Sequence, residues 1–231
     1  MGAMRVVTFN VHWGTVGRGP RVDSEALARV CAGFEADLIG LQEVDRGMRR
    51  SGRVDLTARV AEAAGMEPVF APTGRGGLGR WGNALLVRGE IADVEAFRLP
   101  RLERRTKRGA IIASVTPARH GSLPMAVAVA HLGVKADEQA VQLPHVLARL
   151  QRRPPPRVFL GDCNAGVAAV RRHCLTAGIE LVEEGGPTFP AEQSEERIDH
   201  VAVAGLAVRS VNAPATPISD HRPLVVNLGP R

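Results

Sequence analysis

Residues 159–166, "FLGDCNAG", set two polar groups just beyond a run of apolar ones. The overlapping "RVFLG", residues 157–161, predicts a short interior strand, β-branched and apolar and closed by a glycine. Side chains alternate across a strand, so Asp162 and Asn164 share one face while Cys163 points to the other. A carboxylate and a carboxamide brought together to the mouth of a sheet have two readings: a cap for the following helix, or a site for chemistry. One motif does not choose between them, so the rest of the chain has to be read.

Working outward, 231 residues suffice for one large α/β domain or two small ones, and 45% hydrophobic content supports a sizeable core. Aromatics are only 3% with no tyrosine, which argues against broad base-stacking platforms. A net charge of +6 and a pI near 10.4 favour anionic partners, nucleic acid or anionic lipid. Cys31, Cys163 and Cys174 form neither a disulfide framework nor a metal-ligand spacing, which points to a reducing compartment. No apolar run approaches membrane-spanning length, and "MGAMRVVTFNV" lacks a signal-peptide pattern, its "MGA" (residues 1–3) reading as a cloning remnant. A cytoplasmic monomer is expected.

Strands are predicted at "VVTFNV" (6–11), "DLIGLQEVD", "ALLVRG", "IADVEAFRL", "GAIIASVTP", "PMAVAVAHLG", "VFLGD", "RIDHVAVAG", "LAVRSVNA" and "PLVVNLG". Helices are predicted at "DSEALARVCAGFEA", with Asp23 or Ser24 as N-cap, and at "RVDLTARVAEAAGM", "KADEQAVQLPHVLARLQ" and "GVAAVRRHCLTAG". The third should be interrupted or kinked at Pro144. "PTGRGGLGRWGN" reads as a glycine-rich loop. With no linker or composition shift, the expectation is one α/β domain over residues 1–231, mixed sheets covered by helices, whose element order hints at two similar halves.

Polar residues then collect at the ends of the apolar runs: Asn10 and His12, Glu43, Asn83, His131, Asp162 and Asn164, Asp199 and His200, Asp220 and His221. Singly each has an ordinary reading. Asn10 or Asp220 suits a turn, His131 a satisfied core histidine, and Asp199 near Arg197 a surface ion pair. Burial of such groups is costly without partners, so their repetition at strand ends argues for a shared site.

"VVTFNVHWG", "DLIGLQEVDR", "GNALLV", "AVAHLG", "FLGDCNAG", "RIDHVAV" and "ISDHRPLVV" occur in the order found in the endonuclease/exonuclease/phosphatase superfamily. The chain resembles this deoxyribonuclease I-like group from residue 5 to 228, and most of all its small bacterial metal-dependent hydrolases with "NVHxG", "LQEVDR" and "RSG". The resemblance implies a four-layer α/β sandwich of two packed mixed β-sheets flanked by helices, and a divalent metal, Mg²⁺ or Mn²⁺. It implies Glu43 as the principal metal carboxylate, with Asn10 assisting at metal or phosphate and Asp220 beside the metal. It also implies Asp162 as the residue that orients or deprotonates water and Asn164 as a phosphate donor. His221 would face the phosphate with Asp199 as its carboxylate partner, and His131 would be a second histidine acting as acid or electrostatic stabiliser.

Those residue types also make chemical sense alone. Phosphoester hydrolysis needs oxygen ligands for a hard cation, a carboxylate to hold water in line, and donors on the non-bridging oxygens. A carboxylate such as Asp199 raises a histidine's pKa and fixes its orientation. Departures narrow the expectation. His12 stands where many nucleases of the group are acidic, and "GGPTFPAEQSEERIDHV" has no tryptophan, which argues against abasic-site repair. "GRGGLGRWG" lacks the Gly-Lys-Ser/Thr ending of a P-loop and reads as a mobile rim. Arg46, Arg49, Arg50, Arg75, Arg80 and Arg108 could line an anionic groove, although surface charge explains most such residues. The expected activity is a Mg²⁺-dependent phosphodiesterase on nucleic acid. Alternatives are a small-molecule or lipid-headgroup phosphoesterase and a non-catalytic binding module on the same scaffold.

Overall fold

Val6 and Val7 point to opposite faces of the strand Met4–Asn10 (β1), yet both are fully buried. Val6 joins an apolar cluster with Leu160 and Val201, and Val7 joins another with Leu27, Val60 and Phe9. A strand covered on both faces has to read as a continuous apolar run, which is why "VVTF" shows no alternation. The computed structural model describes residues 3–17, 19–102, 104–119 and 124–231. Residues 1 and 2 of the expected remnant lie outside them.

After β1 come Ser24–Gly33 (α1), Leu38–Arg46 (β2), Leu56–Ala64 (α2), Glu67–Gly76 (β3), Gly79–Val87 (β4) and Gly89–Arg98 (β5). Gly109–Pro117 (β6), Met125–His131 (β7), Ala136–Gln151 (α3), Arg157–Asp162 (β8) and Val167–Thr176 (α4) follow. Glu180–Leu181 (β9), Asp199–Ala204 (β10), Leu206–Asn212 (β11) and Leu224–Pro230 (β12) complete the chain. One sheet runs β11-β12-β1-β2-β4-β3 and the other β5-β6-β7-β8-β10-β9, six strands each. The two orders match place for place. In each, one parallel pair (β1 with β2, β7 with β8) is bridged by a helix and flanked by antiparallel neighbours.

Three apolar clusters separate the layers: one between the sheets, one under α1 and α2, and one under α3 and α4. The molecule is therefore the expected four-layer α/β sandwich. Asp23 caps α1, its carboxylate accepting from Ala26 N at 2.8 Å, and Asp55 caps α2 through Ala58 N at 3.1 Å. No described helix is long and apolar enough to cross a membrane. The three cysteines are buried and unpaired.

Two expectations need correction. The glycine-rich "PTGRGGLGRWGN" is not a loop but the body of the β3–β4 hairpin. Its glycines serve the strands. A Cβ on Gly74 would lie 2.0 Å from Trp81 Cζ2, because the indole lies on the Gly74 backbone where the pairing shifts register. The third helix is also not interrupted: α3 runs through Pro144 from Ala136 to Gln151. Pro144 removes a donor from the carbonyl of Ala140, an exposed residue where water can replace it. Leu143, Val146 and Leu147 hold the helix to the core on its other side.

Candidate active site

The register of the second sheet lines up three polar side chains. His131 on β7 lies opposite Asp162 on β8, and Asp162 lies opposite Asp199 on β10. Directly paired residues share a face, here the one toward the first sheet, while Cys163 packs in the cluster beneath α3 and α4. Asp199 opens its strand rather than ending it. An antiparallel strand brings its N-terminal part to the rim where its parallel-running neighbours end, and Asn83 on β4 follows the same rule in the other sheet.

Two like charges side by side in a buried row repel, so something has to separate them. Asp162 Oδ2 accepts from Asn10 Nδ2 at 2.9 Å, at the end of β1 in the other sheet, and His131 Nε2 lies 3.3 Å away. Its Oδ1 accepts from Asn164 N at 2.8 Å. Asn164 adopts a left-handed backbone (φ 49°), and α4 begins only after Gly166 without a side-chain cap. The capping reading of Asp162 and Asn164 is therefore not realised. Burial first and Asp199 second push the Asp162 carboxyl up to about 7, against the opposing pull of His221.

His221 supplies the cation between the carboxylates. Its Nδ1 lies 2.8 Å from Asp199 Oδ2, and its Nε2 lies 4.0 Å from Asp162 Oδ2. Burial alone would lower its pKa, but Asp199, Asp162 and Asp220 together outweigh burial and hold it at about 10. His221 is therefore an imidazolium at neutral pH. It is held in place by Ser219, whose Oγ accepts from His221 N at 3.1 Å and donates to Asn10 O at 2.6 Å. The Phe189 ring packs 4.9 Å from the imidazole.

His131 is the opposite case. Burial, then Arg108 and His221, lower its pKa well below the ordinary value, so it is neutral. Arg108 Nη1 lies 2.9 Å from Nδ1, and a guanidinium only donates, so Nδ1 is the acceptor and Nε2 carries the proton. That N–H points at Asp162 Oδ2, while the Asn164 side-chain nitrogen, itself a donor to Leu132 O at 3.0 Å, lies 3.2 Å from the same ring nitrogen. Arg108 is thus no part of a distal basic groove, since it sits largely buried behind a site histidine. Sequence spacing carries no hint of this, because the contact spans 23 residues, from just before β6 to the end of β7.

Glu43 and Asp220 lie apart from this row. Among the described residues, the one group of three or more acidic, histidine or cysteine side chains with ligand atoms within 4.8 Å of one another is Asp162, Asp199 and His221. Glu43, in a left-handed conformation (φ 54°) at the β2 bulge, lines a cleft of about 300 Å³ beside Asn83, Arg108 and His131. Asp220 Oδ1 lies 3.3 Å from His12 Nδ1, which gives His12 a carboxylate partner. Carboxylate oxygens of the site are left unengaged. Among the described residues the Glu43 carboxylate makes no hydrogen bond or ion pair, and Asp199 Oδ1 is buried without a partner. Both are oxygens of the type that hard cations prefer. His221 is a poor ligand, since its Nδ1 holds the proton shared with Asp199.

The cleft also contains both tryptophans of the chain, Trp13 and Trp81, which sequence reading left out. Arg50 joins them. Its guanidinium forms a two-pronged pair with buried Asp45, both bonds 2.8 Å, and lies 3.7 Å over the Trp13 ring.

The Endonuclease/Exonuclease/phosphatase family model matches residues 7–221 of this sequence. Among solved structures, an endonuclease/exonuclease/phosphatase from Beutenbergia cavernae superposes with a TM-score of 0.81 at 20% identity, over 100% of this chain and 72% of its own. The human Nocturnin catalytic domain with bound sulfate gives 0.79 at 19% identity, over 99% and 95%. D. rerio TDP2 complexed with a single-strand DNA product gives 0.73 at 17%, over 98% and 99%. No curated protein sequence matches the chain.

Proposed function

Because the chain belongs to the endonuclease/exonuclease/phosphatase family, a family of phosphoester hydrolases, we propose that it is a divalent-metal-dependent phosphodiesterase acting on nucleic acid. The observation that carries this reading is the pairing of Asp162 with charged His221 across one buried row. A binding module would gain nothing from burying two carboxylates side by side, whereas in-line attack of water on phosphorus uses each group.

Asp162, with a pKa near neutrality, accepts a proton from the attacking water as the oxygen bonds to phosphorus. Asn10 and the Asn164 N–H fix the carboxylate's orientation. His221 offers a charged Nε2–H donor to a non-bridging oxygen, and Asp199 keeps that ring protonated and turned. His131 presents a neutral Nε2–H from the other side, fixed by Arg108, and the Asn164 amide adds a further donor. Glu43, with Asn10 and Asp220, would hold the Mg²⁺ or Mn²⁺, which supplies positive charge to the oxygens of the reacting phosphate. Three unpaired cysteines support a cytoplasmic setting, and the chain is expected to act as a monomer.

The test is hydrolysis of bis-p-nitrophenyl phosphate, single-stranded DNA, RNA and a phospholipid with Mg²⁺, Mn²⁺ or chelator. Asp162→Asn should lower kcat by roughly 10²–10⁴-fold on every substrate accepted, with an unchanged circular dichroism spectrum. Glu43→Gln should weaken metal binding in a calorimetric titration. Full activity in chelator would remove the metal-dependent reading, full activity in Asp162→Asn would remove Asp162 as the base, and turnover of none of the substrates with either metal would remove the hydrolytic reading. Turnover of the phospholipid alone would remove the nucleic-acid one.

A further inference from the structure

α3 buries polar side chains where the other helices bury apolar ones. Glu138 and Gln142 are buried and Gln139 is half-buried, all on one side of the helix's first two turns. The buried positions of α1 and α4 are entirely apolar, and α2 adds only Thr57. Burying an amide or a carboxylate is unfavourable unless its partners are in place. Here the partners are the loops that carry the site. Gln142 Oε1 accepts from Gly133 N at 2.7 Å, and its Nε2 donates to Pro100 O at 2.8 Å. Gln139 Nε2 divides its hydrogens between Gly133 O at 3.1 Å and Asn164 O at 2.7 Å. Partners without a choice fix the orientation of both amides, since a peptide N–H only donates and a carbonyl only accepts. Glu138 closes the third side of Gly133, where a Cβ would lie 2.5 Å from Glu138 Oε2.

We infer that Gln139 and Gln142 are positioning residues, which hold the site's loops in register without touching the substrate. Each loop they bond leads to a group that the proposed chemistry uses. Gly133 follows closely after His131 in the chain. Asn164 has a left-handed backbone (φ 49°), which needs enforcement from outside, and the bond from Gln139 to its carbonyl supplies it. The Asn164 side chain donates in turn to Leu132 O at 3.0 Å, next to Gly133. Pro100 adjoins Leu99, whose N donates to Arg108 O at 3.0 Å. Gln142 therefore also steadies the backbone from which Arg108 reaches His131. One rigid helix thus sets the spacing of Arg108, His131 and Asn164 against each other. The inference rests on the phosphoesterase reading for what these groups do, and on the hydrogen bonds alone for how they are held.

Gln139→Met keeps the volume and removes both bonds of that side chain. It should lower kcat on bis-p-nitrophenyl phosphate by roughly 10–100-fold, with KM little changed. Mg²⁺ affinity in a calorimetric titration should stay the same, because neither glutamine bonds Glu43, Asn10 or Asp220. Gln139→Glu has the same shape but, once ionised, can only accept, and should lose as much. Gln139→Arg offers donors to both carbonyls again and should recover most of the rate. Leu147→Ala, which loosens α3 from the core further along the helix, should lower the urea midpoint with kcat retained. Unchanged kcat in Gln139→Met, an equal loss in Leu147→Ala, or no recovery in Gln139→Arg overturns the proposal. Should Gln139→Met fail to fold, Gln139→Glu and Gln139→Arg decide on the same readings. Amide hydrogen exchange judges the clamp apart from catalysis. Residues 131–135 and 163–166 should exchange faster in Gln139→Glu, and Gly133 N–H faster in Gln142→Met, which takes away its acceptor. Unchanged exchange in both overturns the proposal. If the unaltered protein hydrolyses no phosphoester, the phosphoesterase reading fails, while the exchange comparison still judges the clamp.

Discussion

His200 stands next to Asp199 in the chain yet serves the opposite face of the sheet. It donates from Nε2 to Ala165 O at 2.8 Å and is fully buried, and burial leads the causes that lower its pKa from 6.5 to about 4. Between those two values the unfolded chain binds a proton that the folded protein refuses. The stability this neutral ring permits is present above pH 6.5, declines as pH falls, and reaches its full loss near pH 4. The change is on the order of 3 kcal/mol. His200→Gln keeps a donor and removes the titration, so the difference in unfolding free energy between the two proteins should shrink in that window. Chemical denaturation at a series of pH values measures it, and a pH-independent difference would refute it. His200 and His221 were indistinguishable as "DH" in the sequence, "RIDHV" and "SDHRP". What separates them is which strand face each occupies and whether a carboxylate meets the ring, and neither is written in the dipeptide.

The elements were largely legible because most obey one period. α1 and α2 carry a capping aspartate and an apolar stripe, and the buried strands read as unbroken apolar runs. The two departures share a cause: glycine and proline act as punctuation in local rules but not at these positions of the fold. In β3–β4, Gly74 is a seat for Trp81, a contact between strands that no local rule encodes. In α3, Pro144 survives because the carbonyl it abandons belongs to an exposed turn. Pro144→Ala should therefore stabilise the protein, restoring one helical hydrogen bond and relieving the ring's clash with the preceding turn. The expected gain is about 1–3 kcal/mol, read as a rise in urea midpoint with no change in slope. A loss of stability would mean that the ring packs better than its half-buried position suggests.

At the scale of the molecule, the candidate site was readable as a set of residue types and unreadable as a geometry. Asn10 and Asp162 are 152 residues apart and come from different sheets. The row His131–Asp162–Asp199 exists only through the register of three strands. The charge of +6 has a similar split between what is engaged and what is free. Arg46 and Arg50 are paired with Asp55 and Asp45, and Arg108 is engaged by His131. Arg49, Arg75 and Arg80 are exposed and, among the described residues, without an ion-pair partner. If a long nucleic acid crosses this rim, replacing the three by Gln should raise KM on a long strand but not on a dinucleotide. It should also flatten the dependence of log K on log salt by about 0.7 for each lost contact to a single strand. Equal effects on both lengths would confine the substrate to the cleft. The matching strand orders of the two sheets hide one further asymmetry. The second sheet is drawn entirely from residues 89–204, whereas the first needs β1 and β12, whose ends pair as Met4 with Leu228. On the ribosome the second sheet can therefore close while the first still waits for its last two strands. Until residue 221 emerges, Asp162 and Asp199 face each other with no imidazolium between them. On the proposed catalytic reading, a nascent chain stays inert until that residue has emerged and docked, so the closing of the first sheet would also be the step that switches on the chemistry.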